Sequence, residues 1–486
     1  MVTAMKSNDL QEAIKKVDKK IVPKEKNKAA VWIPTLSAAV ICVCVVTLSL
    51  SGAFKKKPTE NNAKPKSEYK NEYADGVIGE KKTSKNRGGI FDVLSDIFEG
   101  KKTYDGALMA EEPVADGIEI YEAAENTINA KAGTLTAGEH YDLGDIDAWK
   151  KLVNENEWYK YAENRNIFSN NIIKVTVKSG DAAVFNAKVT LKEGDNVLYN
   201  ARTNVSGEAF LLYNINAKNQ KPDSVEVEGE TYQLDGKTEI TVDAKAKDDV
   251  KALDFMLMID TTGSMGDELR YITEELKDIV ARVAKCDEKM SIRVSVNFYR
   301  DVDDDYVVKY FDFRENIDEC IKQLSDEFAS GGGDFPEAVH TALDNAVNGH
   351  QWRDNAVKIC FIVLDAPPHS EEEVKGINKN LVESLAKAAE NGIRIVPVMC
   401  SGADQETEYT LRSFAVLTGG TFVFLTDDSG VGNPHQEVTV PDYSVEKLND
   451  CMVRITCEFC GLKYETPERP VPTENSQQNQ QQNQQK

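Results

Sequence analysis

The segment Met258-Ile259-Asp260-Thr261-Thr262-Gly263-Ser264-Met265 limits what this chain can fold into more than any other. Leu253 to Ile259 is an apolar run broken only by Asp254, and it predicts a buried strand. The run stops at one carboxylate and three hydroxyls, and a helical pattern begins at Asp267. In an open α/β sheet, ligands bind where the carboxyl end of a strand meets the next helix. Here that point holds oxygen donors and neither thiol nor imidazole, a set that suits Mg²⁺, Mn²⁺ or Ca²⁺.

From Val250 onward, strands and helices alternate. Strands are predicted at Leu253–Ile259, Ser291–Tyr299, Val307–Phe311, Val357–Leu364, Ile393–Met399 and Thr421–Phe424. Helical periodicity runs through Asp267–Lys285, Glu315–Glu327, Glu337–Asn348, Glu371–Glu390, Glu406–Thr418 and Ser444–Cys460. Such alternation implies an α/β domain over 250–461: a Rossmann-like, doubly wound, mostly parallel sheet covered on both faces.

Three loops of this domain offer oxygen ligands: Asp260-Thr261-Thr262-Gly263-Ser264, Gly331-Gly332-Gly333-Asp334-Phe335-Pro336-Glu337, and Asp365 at the end of Ile359–Leu364. In this order they resemble the metal-ion-dependent adhesion site (MIDAS) of von Willebrand factor type A (VWA) domains. The resemblance implies that Thr262 and Ser264 bind a divalent cation directly, that Asp260 and Asp365 hold it through water, and that a partner's acidic group completes the shell. Many family members carry Thr in the second loop, where this chain offers Asp334. A carboxylate there would tighten cation binding and weaken the ion's pull on a ligand acid, which favours metal binding over integrin-style carboxylate capture. Arg300 and Asp301, after the strand Ser291–Tyr299, are expected at the ligand rim, and the acidic run to Asp305 reads as a solvated turn.

The remainder of the 486 residues is organised around this domain. Ala29 to Phe54 holds no charge, and as a helix it would run about 39 Å, enough to cross a hydrocarbon core of about 30 Å. A cleaved signal peptide ending near Ser51-Gly52-Ala53 competes with this, but the polar segment before it is long for such a signal. The expectation is an uncleaved single span with a basic cytoplasmic leader, 1–28, and the bulk outside the cell. Residues 55–132 read as a disordered stalk and 466–486 as a disordered Gln-rich tail. Between them, 133–247 combines an aromatic segment with period-two strands such as Ile173-x-Val175-x-Val177, a β-sandwich spacer. Its Ala187–Leu191 and Thr203–Ala209 stretches are similar to carboxypeptidase-regulatory-like domains.

The net charge of −23 argues against nucleic acid as a partner. Cys457 and Cys460 form a C-x-x-C with Cys451 nearby, too few ligands for zinc, and packing on a C-terminal helix is expected. His340, His350, His369 and His435 show no metal spacing. An enzyme reading exists: Asp260 to Ser264 also looks like the nucleophile loop of haloacid-dehalogenase-like aspartyl phosphotransferases, with Asp427 and Asp428 as the later acidic pair. The expected lysine after a strand is missing from that pattern, and the triple-glycine loop has no task in it. A third reading is a ligand-sensing protein signalling through Ser444–Cys460. The expected function is a non-catalytic, surface-displayed module that binds a protein or surface polymer through a divalent cation.

Overall fold

The computed structural model describes residues 130–216, 219–245, 250 and 252–464. The predicted leader, transmembrane helix and tail, and nearly all of the stalk, lie outside the described residues. Among the described residues no helix is long and apolar enough to cross a membrane.

A strand the sequence does not announce comes first: β1 (Thr136–His140). Two helices follow, α1 (Ile146–Val153) and α2 (Asn156–Arg165). Next come eight strands of a β-sandwich: β2 (Ile172–Ser179), β3 (Ala182–Ala183), β4 (Lys188–Glu193), β5 (Asn196–Arg202), β6 (Glu208–Leu212), β7 (Ser224–Val227), β8 (Glu230–Gln233) and β9 (Glu239–Asp243). They form two sheets, β3-β2-β6 with β9 on β2, and β5-β4-β7-β8. Val175, Val189, Leu211 and Val225 from the two sheets share one core. The turn before β6 depends on Gly207, whose φ is +77° and whose absent Cβ would meet the Val177 carbonyl at 2.4 Å.

The second half contains β10 (Ala252–Asp260), α3 (Leu269–Val283), β11 (Ser291–Tyr299), β12 (Val308–Lys309), α4 (Ile317–Asp326), α5 (Val339–Asn348), β13 (Val357–Leu364) and α6 (Ile377–Asn391). It ends with β14 (Ile393–Met399), α7 (Gln405–Thr418), β15 (Phe422–Leu425), β16 (Glu446–Lys447) and α8 (Leu448–Phe459). The sheet order is β12-β11-β10-β13-β14-β15-β1-β16. The five strands β11, β10, β13, β14 and β15 run parallel to one another, as the apolar runs imply, whereas β12, β1 and β16 are antiparallel additions at the margins. The fold is therefore mixed α/β. Side chains of β10 alternate between the two faces: Phe255, Leu257 and Ile259 pack with α3, α4 and α8, while Met256 and Met258 pack with α5, α6 and α7.

β1 escaped the sequence because Thr-Ala-Gly-Glu-His has neither a β-branched run nor alternation. What holds it is tertiary. Gly138 leaves room for the Phe424 ring, which an added Cβ would meet at 2.4 Å. The backbone amides of Gly133, Thr134 and Leu135 donate to the Glu275 carboxylate of α3 at 2.6, 2.7 and 2.9 Å. The aromatic segment packs on α7, where Arg412 is buried 5.1 Å from the rings of both Trp149 and Trp158 and pairs with Asp142 and Glu408. Sandwich and sheet are also joined directly, as the Tyr199 hydroxyl donates to the Leu417 carbonyl at 2.6 Å.

A chain beginning at Asp145 lacks β1 and uncovers one edge of β15. Relative to a chain beginning at Ala130, it should melt roughly 5 °C lower or more, because Leu135 and Ala137 leave the core. Equal melting curves for the two would show that β1 contributes nothing.

Candidate metal centre

β10 delivers Asp260 to the carboxyl edge of the sheet, fully buried. Its Oδ1 accepts from the Thr262 amide at 2.9 Å and the Thr262 hydroxyl at 2.7 Å. Thr262 Oγ1 and Ser264 Oγ lie 3.2 Å apart. Asp260 Oδ2 is buried without a hydrogen-bond partner.

Two further carboxylates face this one. Asp365 follows β13, the parallel neighbour of β10, and lies beside the Ser264 hydroxyl with Oδ1 buried and unpartnered. Glu337 arrives from the second loop, 2 % exposed, beside the Thr262 hydroxyl, and its Oε2 is also buried and unpartnered. Its amide donates to the Pro367 carbonyl at 3.0 Å, which ties the second loop to the loop after Asp365. Three buried carboxylate oxygens without donors therefore stand around the Thr262 and Ser264 hydroxyls, close enough to repel one another. Leaving a buried acceptor unmatched costs about 1–3 kcal/mol, and more when it is charged.

The glycines of the second loop permit this approach. Gly332 has φ +73°, and a Cβ there would sit 3.0 Å from Glu337 Oε1 and 3.3 Å from Thr262 Cβ. Asp304 braces the same loop by accepting from the amides of Asp301 at 3.0 Å and Gly332 at 2.9 Å. The acidic run is thus only partly a solvated turn.

Electrostatics match the geometry. Burial pushes the Asp260 carboxyl up to about 6, against the hydrogen bonds from Thr262. Burial, then the Asp260 charge, pushes Asp365 up to about 7. Burial, followed by the charges of Asp260, Asp301 and Asp365, pushes Glu337 up to about 9. Tyr299, whose hydroxyl is buried next to Asp260 with no well-formed hydrogen bond, is held well above the usual phenol range. The donor set is oxygen only and carries more negative charge than it can neutralise internally, so it fits a hard divalent cation.

The structure brings together Asp260, Thr262, Ser264 and Asp365 and adds Glu337, which the sequence assigned to a helix start. The other expected residues are placed differently. Asp334 is exposed and gathers with His369 and Glu373. Proline and the start of α5 turn its neighbour Glu337 inward and leave Asp334 outside. Arg300 and Asp301, expected at an open rim, are 3 % and 8 % exposed. The Arg300 guanidinium is spent on Glu327, the Phe328 carbonyl and the Tyr306 ring, and Asp301 bonds His369 at 2.7 Å. Asp427, the candidate later acid of a phosphotransferase, follows β15, three strands from β10 or roughly 14 Å across the sheet. It pairs with His435 at 2.8 Å, not with Asp260.

Against known families, residues 254–426 match the model of the von Willebrand factor A domain. The chain carries a von Willebrand factor A domain. It is 31 % identical over 128 residues to the ariadne-like RING finger protein R811 of Acanthamoeba polyphaga mimivirus, covering 26 % of this chain and 12 % of that protein. It is 27 % identical over 165 residues to the alpha-protein kinase vwkA of Dictyostelium discoideum, covering 32 % of this chain and 24 % of that one. The chain thus spans a quarter or less of the length of these curated relatives. The conserved hypothetical protein BatB from Bacteroides thetaiotaomicron, a solved structure, aligns with 43 % of this chain and 99 % of its own at 13 % identity and TM-score 0.29. A domains commonly act as metal-dependent protein-interaction modules and typically bind a divalent cation.

The raised carboxyls give the A domain a pH signature. Each holds its proton in the folded chain at pH values where the unfolded chain has released it, so their contribution to stability is intact below about pH 4. It is lost as pH rises through about 6, 7 and 9. In chelator, the melting temperature should fall between about pH 5 and about pH 8, and Mg²⁺ at the higher pH should restore it. Glu337→Gln should flatten the fall. A melting temperature in chelator that rises over this interval would contradict the assignment.

Proposed function

We propose that this protein is a divalent-cation-dependent binding module of MIDAS type, displayed at the cell surface by an uncleaved helix over 29–54 with the amino terminus cytoplasmic. The observation that carries the cation reading is three buried, unpartnered carboxylate oxygens, from Asp260, Asp365 and Glu337, set around the Thr262 and Ser264 hydroxyls. Thr262 and Ser264 would supply neutral donors, with the carboxylates supplying the charge. Glu337 takes the part that the sequence assigns to Asp334, with the same consequence: an ion held by three acids has little attraction left for a partner's acid. Mg²⁺, Mn²⁺ and Ca²⁺ all fit an oxygen-only set.

A partner, protein or surface polymer, would then rely on more than the ion. Val302, Phe328 and Phe335, on the loops beside the centre, are exposed large apolar side chains that such a partner could cover. Such a module has no turnover. Asp427, the later acid that the phosphotransferase reading needs, pairs with His435 instead, which supports the binding reading.

Calorimetric titration of the full chain with Mg²⁺ should show saturable heat that Asp260→Ala abolishes, and incubation with aryl phosphates should release no phosphate. Undiminished heat in Asp260→Ala would move the ion elsewhere, and steady phosphate release would make the protein an enzyme.

One feature favours a sensing role as well. α3 starts just past Ser264 and packs along α8, joined by Arg282 to Asp450 at 2.9 Å and by Asn449 to Asp278 at 2.8 Å. If occupancy is relayed, hydrogen exchange across Leu448–Phe459 should slow at least severalfold with Mg²⁺. Unchanged exchange there would leave a plain binding module.

A further inference from the structure

His369 is the residue whose surroundings the main centre does not explain. It sits on the Pro367-Pro368-His369 turn after Asp365, and Arg165 of α2 fixes that turn by donating to the carbonyls of Pro368 at 2.7 Å and His369 at 2.8 Å. The ring is buried, 5 % exposed, with Nε2 held 2.7 Å from Asp301 Oδ1. That contact turns Nδ1 toward Glu373, whose nearest oxygen is 3.8 Å away, beyond hydrogen bonding. The Glu373 carboxylate is itself held, accepting from the Ser370 amide and hydroxyl at 2.8 Å each. Asp334 completes the group, and one donor atom from each of Asp334, His369 and Glu373 lies within 4.8 Å of the others.

An imidazole steered by a carboxylate on one nitrogen, with the other facing two acids, is the arrangement of a metal-binding histidine and its supporting shell. Ligand atoms around one ion stand roughly 3–4 Å apart. Glu373 already stands at that spacing from Nδ1, and side-chain rotation of the exposed Asp334 can close the remaining gap. A nitrogen donor among oxygens selects Mn²⁺, Co²⁺ or Zn²⁺ over Mg²⁺ or Ca²⁺.

We propose a second cation site, built by Asp334, His369 Nδ1 and Glu373, that takes a Mn²⁺- or Zn²⁺-class ion beside the oxygen-only centre. Asp301, which supports His369 and faces Glu337, connects the two. The site does not depend on the MIDAS reading.

Mn²⁺ binding to the full chain, followed by equilibrium dialysis and electron paramagnetic resonance, tests this. Mn²⁺ is chosen because the thiols of Cys457 and Cys460, which compete for Zn²⁺, bind it poorly. The wild type should bind two ions. Asp334→Asn with Glu373→Gln, both at exposed positions that leave the core intact, should weaken one of them at least tenfold, and His369→Ala should do the same. Asp260→Ala should remove the other ion and keep this one. Two ions bound at wild-type affinity in the Asp334→Asn/Glu373→Gln variant would overturn the proposal, leaving His369 as the hydrogen-bond partner of Asp301 and nothing more. Loss of an ion there, with none lost in Asp260→Ala, would sustain it while defeating the reading of the main centre.

Discussion

Mutual repulsion among Asp260, Asp365 and Glu337 is the constraint around which this fold is arranged. Each is nearly inaccessible to water, and each keeps an oxygen without a donor. Burying one ionised carboxylate is costly, and burying three within electrostatic reach of one another is tolerated only if protons or a cation compensate. Bringing them together required three separate loops, the parallel neighbours β10 and β13, and glycines at 331 and 332 that admit backbone where no side chain fits. A fold that spends this much on one point gains from it only when the charge is matched.

The scaffold behind the site is correspondingly rigid. β10 is central, flanked by β11 and β13 through nine and seven residue pairs, with helices on both faces. α3 has several tasks: it begins just after the Asp260–Ser264 loop, binds the incoming chain through Glu275, and packs on α8. The sandwich intervenes between β1 and β10 in sequence, yet β1 belongs to the same sheet as β10. Sheet, sandwich and aromatic segment are accordingly interlocked through Tyr199, Trp149 and Arg412.

Much of this was legible in the chain. The parallel strands β10, β11, β13, β14 and β15 carry mostly apolar runs, because a parallel sheet covered on both faces needs apolar residues on each side. Asp260, Thr262, Ser264 and Asp365 were readable because their spacing depends on strand ends, a local property. Glu337 was not, since a glutamate before Ala338-Val339 also reads as an ordinary first-turn acid, and only the burial of its carboxylate beside Thr262 shows that it points inward. Asp334 drew the assignment for the opposite reason, being the obvious acid in a glycine-rich loop. Arg300 and Asp301 follow a strand and look exposed until Glu327 and His369, distant in sequence, are found to cover them. Cys457 and Cys460 are buried on and just after α8 as expected, but the Cys457 thiol also meets that of Cys286, just beyond the end of α3. Such pairings come from topology, and no window of sequence contains them.

Diffraction from crystals of the full chain grown with Mn²⁺, recorded for its anomalous signal, tests the central claim most directly. The account predicts an ion among the carboxylates of Asp260, Asp365 and Glu337 and the hydroxyls of Thr262 and Ser264. A cage with no anomalous density, its acids protonated and bonded to one another, would contradict it.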